Sequence, residues 1–253
     1  MTETRDVWVF IEQEEGEIAP VSLELLGIAR DLAGELNSSV TALLLGHGID
    51  QLSQQVIHYG ADHVVIADDP ELAQYRTLPY ARVATGLVEE RKPYIVLLGA
   101  TPIGRDLAPR IASATGAGLT ADCTELEIGD FQRRGEVYKD LLYQIRPAFG
   151  GNIIATIVNP LMHPQMATVR EGVMKLGTPD TERQGTTEKV TPRFESSDLA
   201  LRVLKRELRL PSVDLKGAAV IVSGGMGVGS KESFDLLFEL AHVLGGELSL
   251  IHI

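Results

Sequence analysis

The sequence predicts an α/β protein with a parallel-sheet domain first and a smaller α/β segment after it. Short apolar runs alternate with stretches of helical periodicity over residues 7–114, and this alternation is typical of parallel strands joined by helices. A glycine-rich loop, residues 223–230, later stands between another apolar run and another helical stretch. A polar segment, residues 177–198, separates these two regions.

The first region contains four predicted strands, each followed by a predicted helix. Such a series forms a parallel sheet with right-handed crossover connections. Gly99 follows the fourth strand, at the edge of the sheet where open α/β sheets bind ligands. The predicted strands are residues 7–11, 40–45, 64–67 and 94–98, and the predicted helices are residues 21–36, 49–59, 78–90 and 105–114.

From residue 136 the apolar pattern changes and favours strands over helices. We predict β segments at residues 137–145, 153–158 and 166–169, and interpret them as an extension of the same domain with antiparallel pairing at its edge. Near the N-terminus, the four glutamates among residues 12–17 favour a hairpin or a loop, because their spacing matches no metal site.

The polar segment has the composition of a linker. Residues 177–198 contain much Gly, Thr, Pro, Glu and Arg and few apolar side chains. After it we predict a short helix at residues 199–210, a strand at 218–222 and a helix at 231–244. The predicted division is an N-terminal domain at residues 1–176, a linker with a short helix at 177–210, and the start of a second domain at 211–253.

Composition excludes several classes of function. A net charge of -12 argues against a nucleic-acid partner, because phosphate binding needs a concentrated basic surface. No apolar run approaches the length that spans a membrane, and the N-terminal residues lack an apolar signal core. The single cysteine, Cys123, cannot form an intrachain disulfide, and we expect it to be a small buried residue rather than a nucleophile. We expect a cytoplasmic protein without membrane insertion.

The glycine-rich loop has the position of a phosphate-binding loop but matches neither common motif. Glycines allow close backbone approach, and a helix N-terminus presents free N–H groups to a phosphate. The dinucleotide pattern would use Gly225 and Gly227 but has Ser230 in its third glycine position. The Walker pattern nearly fits, yet it ends in Ser-Lys instead of Lys-Ser. A tight turn without a ligand is equally consistent with the pattern.

The most informative motif is Arg-Pro-Ala-Phe-Gly-Gly-Asn at residues 146–152. Taken alone, it is also consistent with an ordinary turn between strands. It occurs, however, with four other runs in a fixed order. These are VWVFIEQ at residues 7–13, GRDLAPR at 104–110, TGAGLTADCT at 115–124 and PQMATVR at 164–170.

In this order and spacing, the chain resembles the alpha subunit of electron transfer flavoprotein over residues 7–247. The resemblance implies an N-terminal domain like that of the adenine nucleotide alpha hydrolases, followed by the start of an α/β domain that binds FAD. It also implies a heterodimer with a beta subunit that passes electrons to or from an acyl-CoA dehydrogenase. The alternative is a stand-alone nucleotide-binding α/β module, acting as a sensor or hydrolase-like protein.

The resemblance implies two groups of residues around flavins. Arg146 would reach across the subunit interface to a flavin held in the beta subunit, near its reactive N5 atom. Relatives commonly have arginine where Met226 stands, and a cation there raises the flavin potential by Coulomb attraction, so the potential at Met226 stays open. The other residues implied to bind the cofactor are Phe149, Gly150, Gly151, Asn152, Gln165, Thr168, Ser223, Gly224, Gly225, Gly227, Gly229 and Ser230.

Some members of the family are simple carriers, and others bifurcate electrons from NADH to ferredoxin and a dehydrogenase. The N-terminal run at residues 7–13 and the loop at residues 146–152 resemble those of the bifurcating kind. We also expect the chain to be C-terminally truncated, since one strand and one helix cannot close an α/β domain. Residues 248–253 match the translation of CTGTCTCTTATACACATC, which resembles a transposon adapter end from sequencing libraries; a genuine short strand is the alternative.

Overall fold

The computed structural model describes residues 5–207, 215 and 218–250. The chain divides into two compact units, unit 1 at residues 1–202 and unit 2 at residues 203–253. Within the described residues, every helix is too short or too polar to cross a lipid bilayer.

Most of the regular structure among the described residues belongs to unit 1, whereas the last two strands, the last helix and one 3-10 turn belong to unit 2. The described residues also form short 3-10 turns at Pro70–Leu72, Phe149–Gly151 and Met226–Val228. The strands are β1 (Val7–Ile11), β2 (Gln13–Glu14), β3 (Glu17–Ile18), β4 (Val40–Gly46), β5 (His63–Asp68), β6 (Ile95–Gly99), β7 (Gly118–Cys123), β8 (Glu125–Arg133), β9 (Glu136–Ala148), β10 (Ile153–Ile157), β11 (Gln165–Val169), β12 (Thr186–Val190), β13 (Ile221–Gly224) and β14 (Glu247–Leu250), and the helices are α1 (Pro20–Leu36), α2 (Leu52–His58), α3 (Thr77–Arg91), α4 (Pro102–Thr115) and α5 (Phe234–Leu244).

Seven parallel strands form the central sheet of unit 1, in the order β12-β5-β4-β1-β6-β11-β7. The chain moves outward from β1 to β5 and then returns to β6 on the other side of β1. The strand order therefore reverses between β1 and β6, which is where an open α/β sheet forms a ligand crevice. The predicted strands and crossover helices of this region are confirmed to within a few residues.

Helices cover both faces of this sheet. α1 and α2 pack on the face that carries Val7, Val9 and Ile11, whereas α3 and α4 pack on the face that carries Trp8 and Phe10. Alternate residues of β1 thus enter two different cores, because side chains alternate across a strand. Burial on both faces is the physical reason that these strands are continuous apolar runs.

Two antiparallel elements are added to this framework. β8, β9 and β10 form a separate three-stranded sheet with β9 in the centre. It contributes Leu126 and Leu142 to the core on the α1 side. β2 and β3 form the hairpin expected from the glutamates near the N-terminus.

The described part of unit 2 contains one parallel strand pair and one α-helix. β13 and β14 pair in register from Ile221 with Glu247, and α5 connects them. The strand predicted at residues 218–222 lies slightly later, and the helix predicted at 231–244 begins at Phe234. Residues 216–217 and 251–253, which belong to the predicted start and end of this segment, lie outside the described residues.

Three predictions are wrong. The predicted linker contains β12, which pairs with β5 at the edge of the central sheet. The segment at residues 166–169 belongs to the parallel sheet between β6 and β7, not to an antiparallel edge. Residues 199–207 are not helical; the remaining part of that predicted helix, residues 208–210, lies outside the described part of the chain.

Candidate functional site

Residues at the crevice between β1 and β6 approach one another closely. Thr101 caps α4 by accepting a hydrogen bond from Gly104 N at 3.0 Å, and its hydroxyl donates to Glu12 Oε2 at 2.6 Å. A Cβ atom at Gly104 would lie 1.9 Å from the carbonyl oxygen of Gly99, and one at Gly99 would lie 2.8 Å from Val21 Cγ1. The ligand expected at Gly99 therefore meets a closely packed edge, with a carboxylate at the N-terminus of α4.

A second part of the same sheet edge holds a group of charged residues, which we call the arginine cluster. It consists of Arg105, Arg146 and Arg170 around Asp122, and these four residues come from α4, β9, the end of β11 and β7. The parallel strands β7 and β11 end here, so residues far apart in the sequence meet at one place.

Asp122 lies at an irregularity in the sheet. The register between β7 and β11 shifts after Ala167, and Asp122 has a left-handed backbone with φ of 62°. Its amide donates to Thr168 Oγ1 at 2.9 Å. Aspartate and asparagine tolerate this backbone region better than most residues. The shift turns the carboxylate of Asp122 toward the arginines.

The carboxylate of Asp122 is held by two of the three arginines. Arg170 donates from Nη2 to Oδ2 at 2.7 Å and from Nε to Oδ1 at 3.2 Å, and Arg105 Nη2 lies 3.4 Å from Oδ1. The bond to Arg170 holds the pKa of Asp122 below its ordinary value, and the nearby charges of Arg105 and Arg146 act in the same direction. Asp122 is therefore ionised at neutral pH.

Arg146 differs from the other two arginines. On β9 it follows Leu142 and Gln144 on the same face of the strand; these two residues are buried, whereas Arg146 is half-buried at the margin of the unit. Within the described part of the chain, its guanidinium makes no hydrogen bond and no ion pair. A salt bridge that would anchor Arg146 to its own loop is therefore not found among the described residues.

The turn after Arg146 depends on glycine. Gly150 and Gly151 have φ values of 71° and 88°, in a region that other residues rarely adopt. They follow Phe149 in a 3-10 turn, and Gly150, Gly151 and Asn152 are exposed. The motif thus presents an open backbone directly beyond Arg146, and binding of a cofactor by these residues stays a prediction.

Gln165 and Thr168 are buried inside unit 1. Gln165 Oε1 accepts from Leu142 N at 2.9 Å, while its Nε2 atom has no partner among the described residues, as is also true of Gln144 Nε2. Thr168 supports Asp122 as described above. Both residues connect the strands that carry the arginine cluster, and their predicted contact with a cofactor is untested.

Cys123 is fully buried beside this cluster. Burial raises the pKa of its thiol to about 12, although the charge of Arg146 acts in the opposite direction. The thiol is protonated at neutral pH and is a small core residue, as expected, because a nucleophilic cysteine needs a thiolate.

Unit 2 carries the glycine-rich loop at the carboxyl end of β13. A Cβ atom at Gly224 would lie 2.3 Å from Leu237 Cδ1, so glycine there lets α5 approach the strand. Gly227 and Gly229 face open space, Gly229 has φ of 87°, and the side chain of Met226 is 75% exposed. The loop therefore has backbone that a phosphate group could approach closely.

The serines of this loop make local contacts. Ser230 Oγ accepts from Ser233 N at 3.2 Å, next to the first turn of α5, and Ser223 Oγ lies 3.4 Å from Ser249 O. Gly225 is extended, with φ of -130°. The residues fit a nucleotide diphosphate in position and backbone openness, and their assignment to a cofactor stays a prediction.

The sequence identified Arg146 but not its surroundings. Arg105, Asp122 and Arg170 occur in the runs quoted above, yet nothing in their spacing shows that two of them share one carboxylate. The only local signal is an acid in a Thr-Ala-Asp-Cys run at a strand end. Their arrangement depends on the strand order β6-β11-β7.

Comparison with known proteins gives matches over both units. Residues 7–194 match the family model described as electron transfer flavoprotein domain, and residues 214–251 match the electron transfer flavoprotein FAD-binding domain. The electron transfer flavoprotein subunit alpha of Clostridium acetobutylicum is 49% identical, with 97% of this chain and 72% of the relative covered.

Two other relatives have more specific names. The acryloyl-CoA reductase electron transfer subunit beta of Anaerotignum propionicum is 41% identical over 88% of this chain and 66% of its own length. The lactate dehydrogenase (NAD(+),ferredoxin) subunit LctC of Acetobacterium woodii is 38% identical over 97% of this chain and 57% of its own length.

Proposed function

Because the chain belongs to the alpha-subunit family of electron transfer flavoproteins, we propose that it forms a cytoplasmic heterodimer with a beta subunit that bifurcates electrons. NADH is the proposed donor, ferredoxin receives one electron, and an acyl-CoA dehydrogenase-type partner receives the other. Alpha subunits of this family pair with beta subunits, and FAD is their cofactor.

The names of two relatives support these choices. The relative from Acetobacterium woodii is named for NAD(+) and ferredoxin, which are the proposed donor couple and low-potential acceptor. The relative from Anaerotignum propionicum is an electron transfer subunit of an acryloyl-CoA reductase, which supports an acyl-CoA dehydrogenase-type partner.

The proposal rests on one observation: among the described residues, the guanidinium of Arg146 has no bonded partner. A half-buried guanidinium normally requires a partner, because an unpaired charge is costly to remove from water. Within the described residues, Asp122 is bonded to Arg105 and Arg170, and Arg146 is bonded to no side chain. We assign it to an anionic group outside this chain, namely the flavin held by the beta subunit.

The residues of this chain have two proposed tasks. FAD, when bound, accepts two electrons together and can pass them on singly. Arg146 offers a planar, permanently charged fork that stabilises negative charge near N5 of the flavin in the beta subunit. Phe149 begins the turn beside it, and Gly150, Gly151 and Asn152 are the exposed residues of this turn.

The glycine-rich loop is the proposed site for the second FAD. Gly227 and Gly229 leave room for the diphosphate, and Ser223, Gly224, Gly225 and Ser230 complete the turn between β13 and α5. Met226 places an exposed thioether, not a cation, on this loop. A neutral side chain stabilises negative charge on a flavin less than a guanidinium would.

A stand-alone nucleotide-binding module is less well supported. Such a module would bind its ligand in the crevice between β1 and β6. That crevice contains the hydrogen bond from Thr101 to Glu12, whose carboxylate would repel a phosphate group. The turn at Phe149–Gly151 also has no role in such a protein.

The test is Arg146→Ala in the intact heterodimer with NADH, ferredoxin and the dehydrogenase partner. We expect NADH-dependent ferredoxin reduction to fall by about tenfold or more, because a preorganised cation near the developing charge is lost. Arg146→Lys should recover only part of the activity, since a lysine lacks the planar fork.

The matched control is Arg82→Ala, which removes another arginine of unit 1. Arg82 is exposed and pairs with Glu195 and Asp198, away from the arginine cluster. We expect normal ferredoxin reduction from this variant. Unchanged ferredoxin reduction in Arg146→Ala, with normal flavin content, would contradict the proposal.

A further inference from the structure

We infer that Asp122 is a positioning residue: its carboxylate holds Arg105 and Arg170 beside Arg146, leaves the fork of Arg146 to its ligand, and offsets part of the positive charge that acts on that ligand. This inference rests on the proposed function, because the ligand is taken to be the flavin of the beta subunit. It adds a residue that the sequence motifs do not assign and a direction for its effect on the flavin.

The first argument is the fixed position of the carboxylate. Asp122 lies at the register shift between β7 and β11, with its amide bonded to Thr168 Oγ1. Thr168, which accepts the bond from the Asp122 amide, is 1% exposed, and Cys123, the next residue in the chain, is 0% exposed, so the backbone of Asp122 is anchored in the core at these two points. The left-handed backbone then directs the side chain out of the regular strand alternation.

The second argument is how the carboxylate divides its hydrogen bonds. Arg170 binds both oxygens, at 2.7 and 3.2 Å, and Arg105 approaches Oδ1 at 3.4 Å. Arg105 is also held through its Nε atom, which donates to Ala100 O at 2.7 Å. Two of the three guanidinium groups are thus fixed in place, and Arg146 remains the one with its fork available.

The third argument concerns the sign of the local charge. Three arginines against one aspartate leave two net positive charges within the arginine cluster, in a chain whose net charge is -12. This local excess attracts an anionic group, and the carboxylate of Asp122 reduces it by one charge. Asp122 therefore limits how strongly the cluster stabilises negative charge on a bound flavin.

Removing a negative charge and removing a positive charge from this cluster should therefore shift the flavin potential in opposite directions. Asp122→Asn removes one negative charge, so the midpoint potential of the flavin near Arg146 should become more positive. Arg146→Ala removes one positive charge, so the same potential should become more negative. The measurement is a spectroelectrochemical titration of the FAD-loaded heterodimer at low and high salt, and both shifts should be smaller at high salt.

Asparagine is the appropriate replacement at position 122. It adopts the left-handed backbone region readily and keeps the amide bond to Thr168, so the fold should be retained. Arg170→Gln provides a second, independent variant, because it removes a positive charge and releases Oδ2 of Asp122. We expect this variant to shift the potential in the negative direction, as Arg146→Ala does.

The matched control for a structural role is Asp62→Asn. Asp62 pairs with Arg183 and accepts a hydrogen bond from Val40 N at the amino end of the strands, at the opposite edge of the sheet. The Asp62→Asn variant should lower the thermal unfolding midpoint of the heterodimer without shifting either flavin potential. A merely structural role for Asp122 would give the same result.

The possible results distinguish the role of Asp122 from the assignment of Arg146 to a flavin. If Arg146→Ala shifts the potential but Asp122→Asn does not, the role of Asp122 is contradicted and the flavin assignment stands. If Arg146→Ala leaves both flavin potentials unchanged, the assignment of Arg146 to a flavin is itself overturned. Opposite shifts for the two variants, with no shift for Asp62→Asn, support both.

Discussion

Helix α5 in unit 2 is richer in apolar residues than helix α1 in unit 1, yet it is far less buried. α1 has 17 residues, of which ten are buried, including Leu25, Leu26 and Leu32. α5 has 11 residues, of which only Ala241 is buried, although its sequence is FDLLFELAHVL. Apolar composition therefore makes burial possible, but the strands within reach decide how much of it occurs.

The difference follows from the number of strands beneath each helix. α1 covers a wide parallel sheet and shares its core with α2, β8 and β9. Among the described residues of unit 2, α5 has β13 and β14 as its neighbouring strands. Five apolar side chains of α5 are exposed by 46–80%, and exposed apolar side chains in such number on one short helix are typical of interaction sites: Leu236, Phe238, Leu240, Val243 and Leu244.

The largest effect expected from this comparison is that of a core deletion. Leu26→Ala in α1 should lower the free energy of unfolding by about 2–5 kcal/mol, because it leaves a cavity in a fully buried site. Leu236→Ala in α5 should change it by less than about 0.5 kcal/mol, because that side chain is 69% exposed.

Urea denaturation followed by fluorescence of Trp8 and by circular dichroism measures both variants. Trp8 is the single tryptophan and lies in the core of unit 1, so its signal reports on that unit. Equal losses of stability in the two variants would show that α5 is buried as deeply as α1 in solution.

Most of unit 1 could be predicted from the sequence, because its inner strands are buried on both faces. β1, β4, β5 and β6 are continuous apolar runs that stand out from the helices between them. β12 could not be predicted in this way. Its sequence is Thr-Thr-Glu-Lys-Val, and its side chains are mostly exposed. It is a strand because its backbone pairs with that of β5, more than a hundred residues earlier in the chain.

The candidate site shows the same limit. Arg146 and the glycine pair lie within seven residues, so a local motif could point to them. The ion pairs of Asp122 join β7, α4 and the end of β11, and a local pattern contains no information on that meeting point. The register shift at Asp122 is equally non-local, because it involves two strands.

A smaller effect is expected where polar groups join two helices of unit 1. Asp106 on α4 accepts hydrogen bonds from the hydroxyls of Tyr75 and Thr77 at 2.7 and 2.5 Å, and from Arg110 Nε at 3.2 Å. Burial acts to raise the pKa of Asp106, but these hydrogen bonds outweigh it and hold the pKa below 3.8. Asp106→Asn should cost about 1 kcal/mol, because the bonds to a charged acceptor are lost.

The lowered pKa of Asp106 determines how the stability difference between the wild type and Asp106→Asn changes with pH. A carboxylate with a lowered pKa in the folded state stabilises the protein above its ordinary pKa of 3.8, and this stabilisation is lost as pH falls through the folded value. The difference between the wild type and Asp106→Asn should therefore be constant near neutral pH and shrink below about pH 4. Asp31→Asn, at an exposed position of α1, is the control and should show no such difference. A difference that grows toward acid pH would contradict this account.

The smallest effect is expected at the edge strand β12. Glu188 accepts two hydrogen bonds from Arg91, at 2.8 and 2.7 Å, and the side chain of Glu188 is 53% exposed. Solvent-exposed ion pairs contribute about 0–1 kcal/mol, so Glu188→Gln should change the free energy of unfolding by that amount or less, and less still at high salt.

The local effect should be clearer, because β12 is bound to the sheet on one side only and carries few buried apolar side chains. Hydrogen exchange should accelerate in β12 and remain unchanged in β4. Glu90→Gln is the matched control, since Glu90 lies 3.6 Å from the same arginine without holding β12. A loss as large as that of Leu26→Ala would show that this edge, and not the apolar interior alone, determines the stability of unit 1.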